Sequence, residues 1–193
     1  MERSRAMVSK KYLRDYNIEK FVDEKGRNRS RAVYVGGDYV FVPAVPKANK
    51  LAIVLLSVVS DLAFIGAFFM RVRAARVWYV LLPFSITMIS LYILTLSAFS
   101  LLIAKEITTR YNAERIAARL APAAFVSGAL AAVSAIGLAY LLVKSPDAFI
   151  PGDYVFGLMA LVVAVATALA YARFRLVKAA KVGQLSIKDE IVF

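Results

Sequence analysis

The sequence predicts an all-α membrane protein: a bundle of four transmembrane helices preceded by a small N-terminal cytoplasmic antiparallel β-meander. Composition is the first reason, because 61% of the 193 residues are hydrophobic, against ~45–50% in an ordinary soluble domain. The second is that the apolar residues gather in four runs, at about 51–70, 77–103, 121–143 and 154–172. Each is long enough for the roughly 20 residues a helix needs to cross a bilayer. The third is that none of these runs contains a Lys or Arg, although the chain carries 25 of them and a net charge of +12.

The N-terminal segment, 1–46, reads as β. "RAVYVGGDYVFVP" holds two alternating runs around Gly36-Gly37, a two-residue hairpin signal because primed turns need positive φ. That register sets Val35 opposite Asp38, Tyr34 opposite Tyr39, Val33 opposite Val40 and Ala32 opposite Phe41. "IEKFVDE", 18–24, followed by the turn "KGRN", adds a third strand. Three strands are about the minimum for an independent sheet, and both faces of this hairpin are partly apolar. Tyr34, Tyr39 and Phe41 are therefore expected to form an interaction surface. The linker "PAVPKANK" is a short stiff spacer.

The transmembrane domain, 47–172, begins with the first run, which holds one charged residue, Asp61. A carboxylate at this depth is a functional-site hypothesis by default. Ser57 and Ser60 neighbour it, and Ser90 and Tyr92 near the middle of the second run are the expected partners at similar depth. The seven hydroxyls of the second run do not make one stripe. At about 100° per residue they divide into 85/92/95 and 87/90/97, with 100 between. Pro83 allows a kink in this run, and Pro122 is expected to open the third.

Residues 104–120 read as a helix continuing from the second run, with Glu106, Arg110 and Glu114 spaced for i,i+4 pairing. The third and fourth runs carry small residues at a spacing of four: Ser127, Ala131, Ala135 and Ala139, then Ala160, Ala164, Ala168 and Ala172. Small residues let membrane helices approach closely, so these two runs are expected to pack as a hairpin. "PGD" before the fourth run is a break and cap signal, with Asp153 placed to accept free N–H groups. Residues 173–193 form a basic tail.

Charge gives the orientation. Residues 1–50 carry twelve basic and six acidic residues, 104–120 net +2, 173–193 net +3, and 144–153 net −1. The positive-inside rule puts both termini and the central loop in the cytoplasm, the N-in, C-in arrangement of a cytoplasmic or equivalent membrane. "RVRAAR", 71–76, disagrees with four simple crossings unless its arginines snorkel to headgroups on the far side. The N-terminus has no apolar stretch behind its basic start, so a cleaved signal peptide is not expected.

The inventory removes several chemistries. There is no His and no Cys, which excludes disulfides, thiolate and imidazole metal sites, and His-dependent proteolysis. Asp61 is alone among the apolar runs, so an aspartyl dyad is absent there. Neither a G-x-x-x-x-G-K-[ST] nor a G-x-G-x-x-G motif occurs. No catalytic, cofactor-binding or metal-ligating residue is nominated. The basic charge fits membrane flanks better than nucleic acid, which is not an expected partner. The expectation is a non-catalytic membrane protein in lipid: an accessory or scaffold subunit contacting a protein partner or another copy of itself. The alternative is a small oligomeric transporter or channel in which Asp61 binds a proton or cation.

Overall fold

The computed structural model describes residues 15–22, 26–35, 37–42, 44–73, 76–105 and 107–182. Its four long helices are α1 (Lys47–Phe68), α2 (Trp78–Ile103), α3 (Arg110–Lys144) and α4 (Pro151–Phe174). All are long and apolar enough to cross a bilayer. They run up and down in order, each packed on its sequence neighbours, and α1 closes the ring against α4.

The inward faces follow one rule. Buried residues recur at alternating steps of four and three: Ile53, Ser57, Ser60, Phe64 and Ala67 on α1, and Val80, Phe84, Thr87, Leu91, Leu94, Ala98 and Leu101 on α2. On α4 the stripe is Asp153, Phe156, Ala160, Val163, Thr167, Ala170 and Phe174. A mean step of about 3.5 residues keeps one seam facing inward along the whole helix, the pattern of left-handed, knobs-into-holes bundles. Phe84 joins the layers, its ring 4.8 Å from Phe64 and 4.7 Å from Phe156 between centroids.

This seam corrects part of the small-residue reading. A spacing of four drifts about 40° around the helix at each step. Ser127, Ala131 and Ala160 are accordingly buried, Ala135 and Ala164 half-buried, and Ala139, Ala168 and Ala172 exposed. The close approach of α3 and α4 lies at Gly128, where a Cβ would come 2.9 Å from Thr167 Oγ1.

The expected meander is formed only in its first half, the pairing around the "KGRN" turn; the Gly36-Gly37 hairpin is not formed. β1 (Tyr16–Val22) and β2 (Asn28–Tyr34) make an antiparallel hairpin in which Tyr16 opposes Tyr34. β3 (Asp38–Val42) leaves β2 at Gly37, φ +80°, and becomes the centre of a second sheet. Its neighbours are β4 (Thr108–Thr109), between α2 and α3, and β5 (Lys178–Lys181), after α4. Tyr39 therefore opposes Thr108 and Lys181, not Tyr34. The gain is physical: β3 has a partner on each edge, and Phe41, 6% exposed, meets Phe174 edge-on at 6.2 Å. Gly36 lies outside the described residues.

Two helix boundaries also differ from expectation. α2 stops at Ile103, and the helical part of 104–120 belongs to α3, because Thr108–Thr109 is taken by the sheet. Pro122 thus sits inside a 35-residue helix, where its missing N–H leaves the Ala118 carbonyl without an i+4 donor. Arg110 pairs with Glu114 at 2.8 Å and reaches Asp15 at 3.7 Å, tying the hairpin to α3. Glu106 lies outside the described residues.

The two ends of the bundle are fastened differently. At the sheet end, Lys50 Nζ donates to the Ala104 carbonyl at 2.8 Å, and Arg173 donates to Asn49 Oδ1 at 3.0 Å. At the far end, a 3-10 turn, Pro146–Ala148, leads to Pro151 in the first turn of α4. There the fully buried Asp153 accepts the N–H of Ile150 at 3.0 Å and of Arg73 at 2.8 Å. One carboxylate caps its own helix and clasps the α1–α2 loop. Gly152 makes the clasp possible, because a Cβ there would overlap the Arg71 carbonyl. The backbone cannot yield as a side chain can, so Gly152→Ala should cost more than the about 1–3 kcal/mol typical of overpacking. Gly157→Ala, which meets only the Leu138 methyl, should cost no more than that. Thermal unfolding of both variants in detergent checks the order.

Candidate functional site

Asp61 follows Ser60, an inward residue of α1, and Thr95 follows Leu94, an inward residue of α2. One residue is about 100° of rotation, so both side chains leave the seam and meet on the flank where α1 and α2 touch. Thr95 Oγ1 donates to Asp61 Oδ2 at 2.7 Å. No second described group bonds the carboxylate, and its other oxygen is not enclosed by protein.

The depth of this pair follows from the Lys50–Ala104 bond, which marks a common level on α1 and α2. Asp61 lies about 17 Å beyond Lys50 and Thr95 about 14 Å before Ala104, by a rise of about 1.5 Å per residue. For helices spanning a hydrocarbon core about 30 Å thick, that level would be near the middle.

The expected partners of Asp61 are engaged elsewhere. Ser57 and Ser60 donate to the carbonyls of Val54 and Leu56, both at 2.8 Å, and Ser90 to that of Thr87 at 3.0 Å. Tyr92 is 65% exposed on the outside of α2. The replacement by Thr95 has a geometric cause, which is helical face and not depth. Tyr92 lies about 18 Å before Ala104, level with Asp61, but points outside α2, and Ser90 belongs to the buried face. Thr95 lies on the flank between them that meets α1.

The interior offers no polar track. The buried hydroxyls of Thr87, Ser97, Ser127, Ser134 and Thr167 each donate to a carbonyl one turn back on their own helix, the usual satisfaction of hydroxyls in apolar helices. Two cavities open on the outer side of α2 and α3 near the sheet end, and Asp61 lines neither. Among the described residues, no three acidic side chains gather where they could hold a metal ion.

The other proposed surface is divided. Phe41 is buried and Tyr39 half-buried against the bundle, while Tyr34 belongs to the separate hairpin. The three residues thus belong to two different sheets.

No family model, curated protein or solved structure matches the chain. Its reading therefore rests on its own residues and geometry.

Removing the donor tests the Asp61 pair. Intramembrane hydrogen bonds are worth about 0.6 kcal/mol on average and up to about 1.7. Thr95→Val should lose an amount in that range, Thr95→Ser should lose less, and Thr95→Val should cost almost nothing beside Asp61→Leu. Reversible unfolding in mixed micelles, run as a double-mutant cycle, measures the coupling.

Proposed function

We propose that the chain is an integral membrane protein with a non-catalytic role, an accessory or scaffold subunit that contacts a partner or another copy through the outer α1–α2 face. The observation that carries this reading is the Asp61 carboxylate, held by Thr95 alone among the described side chains and open toward the outside of the bundle at mid-depth. Ionisable groups in hydrocarbon ordinarily face a bundle interior or a water-filled cavity. Here the buried hydroxyls are bonded to carbonyls of their own helices, so a covering protein surface is the arrangement that satisfies Asp61. Leu62, Ile65, Met88 and Phe99, on the same two helices, are exposed apolar side chains, which a partner would cover as readily as lipid.

The proposed orientation puts the sheet end in the cytoplasm. That end holds β3, β4 and β5, which belong to the sequence segments 1–50, 104–120 and 173–193, each with a basic excess, in agreement with the positive-inside rule. The three arginines of 71–76 lie at the other end, their loop tied to α4 through Asp153, within reach of the opposite headgroups by snorkelling.

Transport through Asp61 would need a path for water or ions to the carboxylate, and both described cavities open elsewhere. The two readings part in one experiment. Native mass spectrometry of protein extracted gently from its own membranes should show a fixed-stoichiometry complex, with itself or a second polypeptide. Asp61→Asn should preserve it and Asp61→Leu should loosen it. An intact complex with Leu would count against the interface. Loss of proton- or cation-coupled flux in Asp61→Asn liposomes, with assembly unchanged, would favour transport.

A further inference from the structure

We infer that the groove between the end of α2 and the start of α3 binds a phospholipid with a net negative headgroup. The larger of the two cavities, about 540 Å³, lies where α2, β4 and the first turns of α3 meet, and Lys105, Arg115, Thr109 and Asn112 line it. The smaller, about 130 Å³, continues from it along α2, lined by Ile93, Leu96 and Tyr92, with Arg119 at its side. Ser100, Arg115 and Ile116 line both cavities, so they form one continuous feature. Lys105, Thr109, Asn112 and Arg115 gather at the wider end among apolar side chains such as Ile103 and Ile107, and Ile93 and Leu96 follow along α2, the order of a lipid headgroup joined to its acyl chain.

Charge decides the class of lipid. Among the described residues, the lining holds three cations, Lys105, Arg115 and Arg119, and one carboxylate, Asp38. Lys105 and Arg119 have no ion-pair partner among the described residues. Arg115 sits over the Tyr111 ring at 5.7 Å, with a 3.4 Å contact to its hydroxyl. This holds the guanidinium at the junction of the two cavities without neutralising it. A phosphodiester there would accept charge-assisted hydrogen bonds from Arg115 and Arg119. The Thr109 and Asn112 side chains and Asp38 are left for headgroup hydroxyls. Basic pockets between helices at a cytoplasmic interface are suited to anionic headgroups for this reason.

The inference rests on the proposed insertion in a bilayer, and not on the partner assigned to Asp61. Its test uses the full chain, first floated with phosphatidylcholine vesicles and then titrated with phosphatidylglycerol or phosphatidylcholine under native mass spectrometry. Co-flotation with a retained phosphatidylglycerol adduct is expected. Arg115→Gln/Arg119→Gln should weaken that adduct at least about tenfold, the scale of one lost charge-assisted bond. The control pair Arg175→Gln/Lys178→Gln, exposed and lining neither cavity, should leave it unchanged. Both pairs are outside the buried core, so neither variant removes packing. Equal binding of the two lipids, equal loss in the control pair, or displacement by millimolar glycerol phosphate would overturn the inference. Failure to float with phosphatidylcholine would overturn the bilayer reading itself, and the lipid site with it.

Discussion

The inward seam of alternating four- and three-residue steps is the constraint on which the rest depends. It occurs on α1, α2 and α4 from end to end, and it fixes which side of each helix meets its neighbours. In hydrocarbon, helices gain nothing from hiding apolar surface from each other, so close packing must supply the association energy. The seam accordingly mixes small residues such as Ser57, Ser60, Ala98 and Ala160 with large ones such as Phe64, Phe84 and Phe156. The hydroxyls that fall inside it turn back to their own carbonyls, because the space beside them is filled by the next helix. Asp61 belongs to the flank and not the seam, so the packed interior has no place for it.

The ends translate this packing into a fixed arrangement of surfaces. At one end a sheet gathers three separate stretches of chain around β3, with Phe41 seated on Phe174. At the other, the Asp153 carboxylate joins the α1–α2 loop to the start of α4. A bundle fastened at both ends, with its buried hydroxyls bonded to their own helices, suits presentation of an outer face more than passage through the middle. The same fastening leaves the α2–α3 groove open just beside the sheet, where β4 interrupts what would otherwise be a continuous helical turn.

Much of the helical part was legible because apolar runs report burial from water regardless of what covers them. The cap at Asp153 was legible too, since "PGD" is a local signal that depends on nothing distant. What could not be read locally was pairing across the chain. Gly36-Gly37 signals a turn, but β3 finds its partners at Thr108 and Ala179, far along the chain, and no turn rule weighs that competition. Asp61 was visible as an anomaly. Its partner was not, because depth does not separate Tyr92 from Thr95; the helical face does, and that face is set by the packing of α2 on α1. The alanine spacing failed in part for a related reason: a step of four is local, whereas the seam is set by the whole helix.

The central claim is that protein, and not lipid or water, covers Asp61. The direct measurement is photocrosslinking in native membranes from a diazirine side chain replacing Leu62, which is 65% exposed beside Asp61. The same probe at Ile136, 68% exposed on α3, reports the lipid-facing background. A discrete polypeptide adduct from position 62, with mainly lipid adducts from 136, is the result expected. Lipid adducts alone from both positions would contradict the claim.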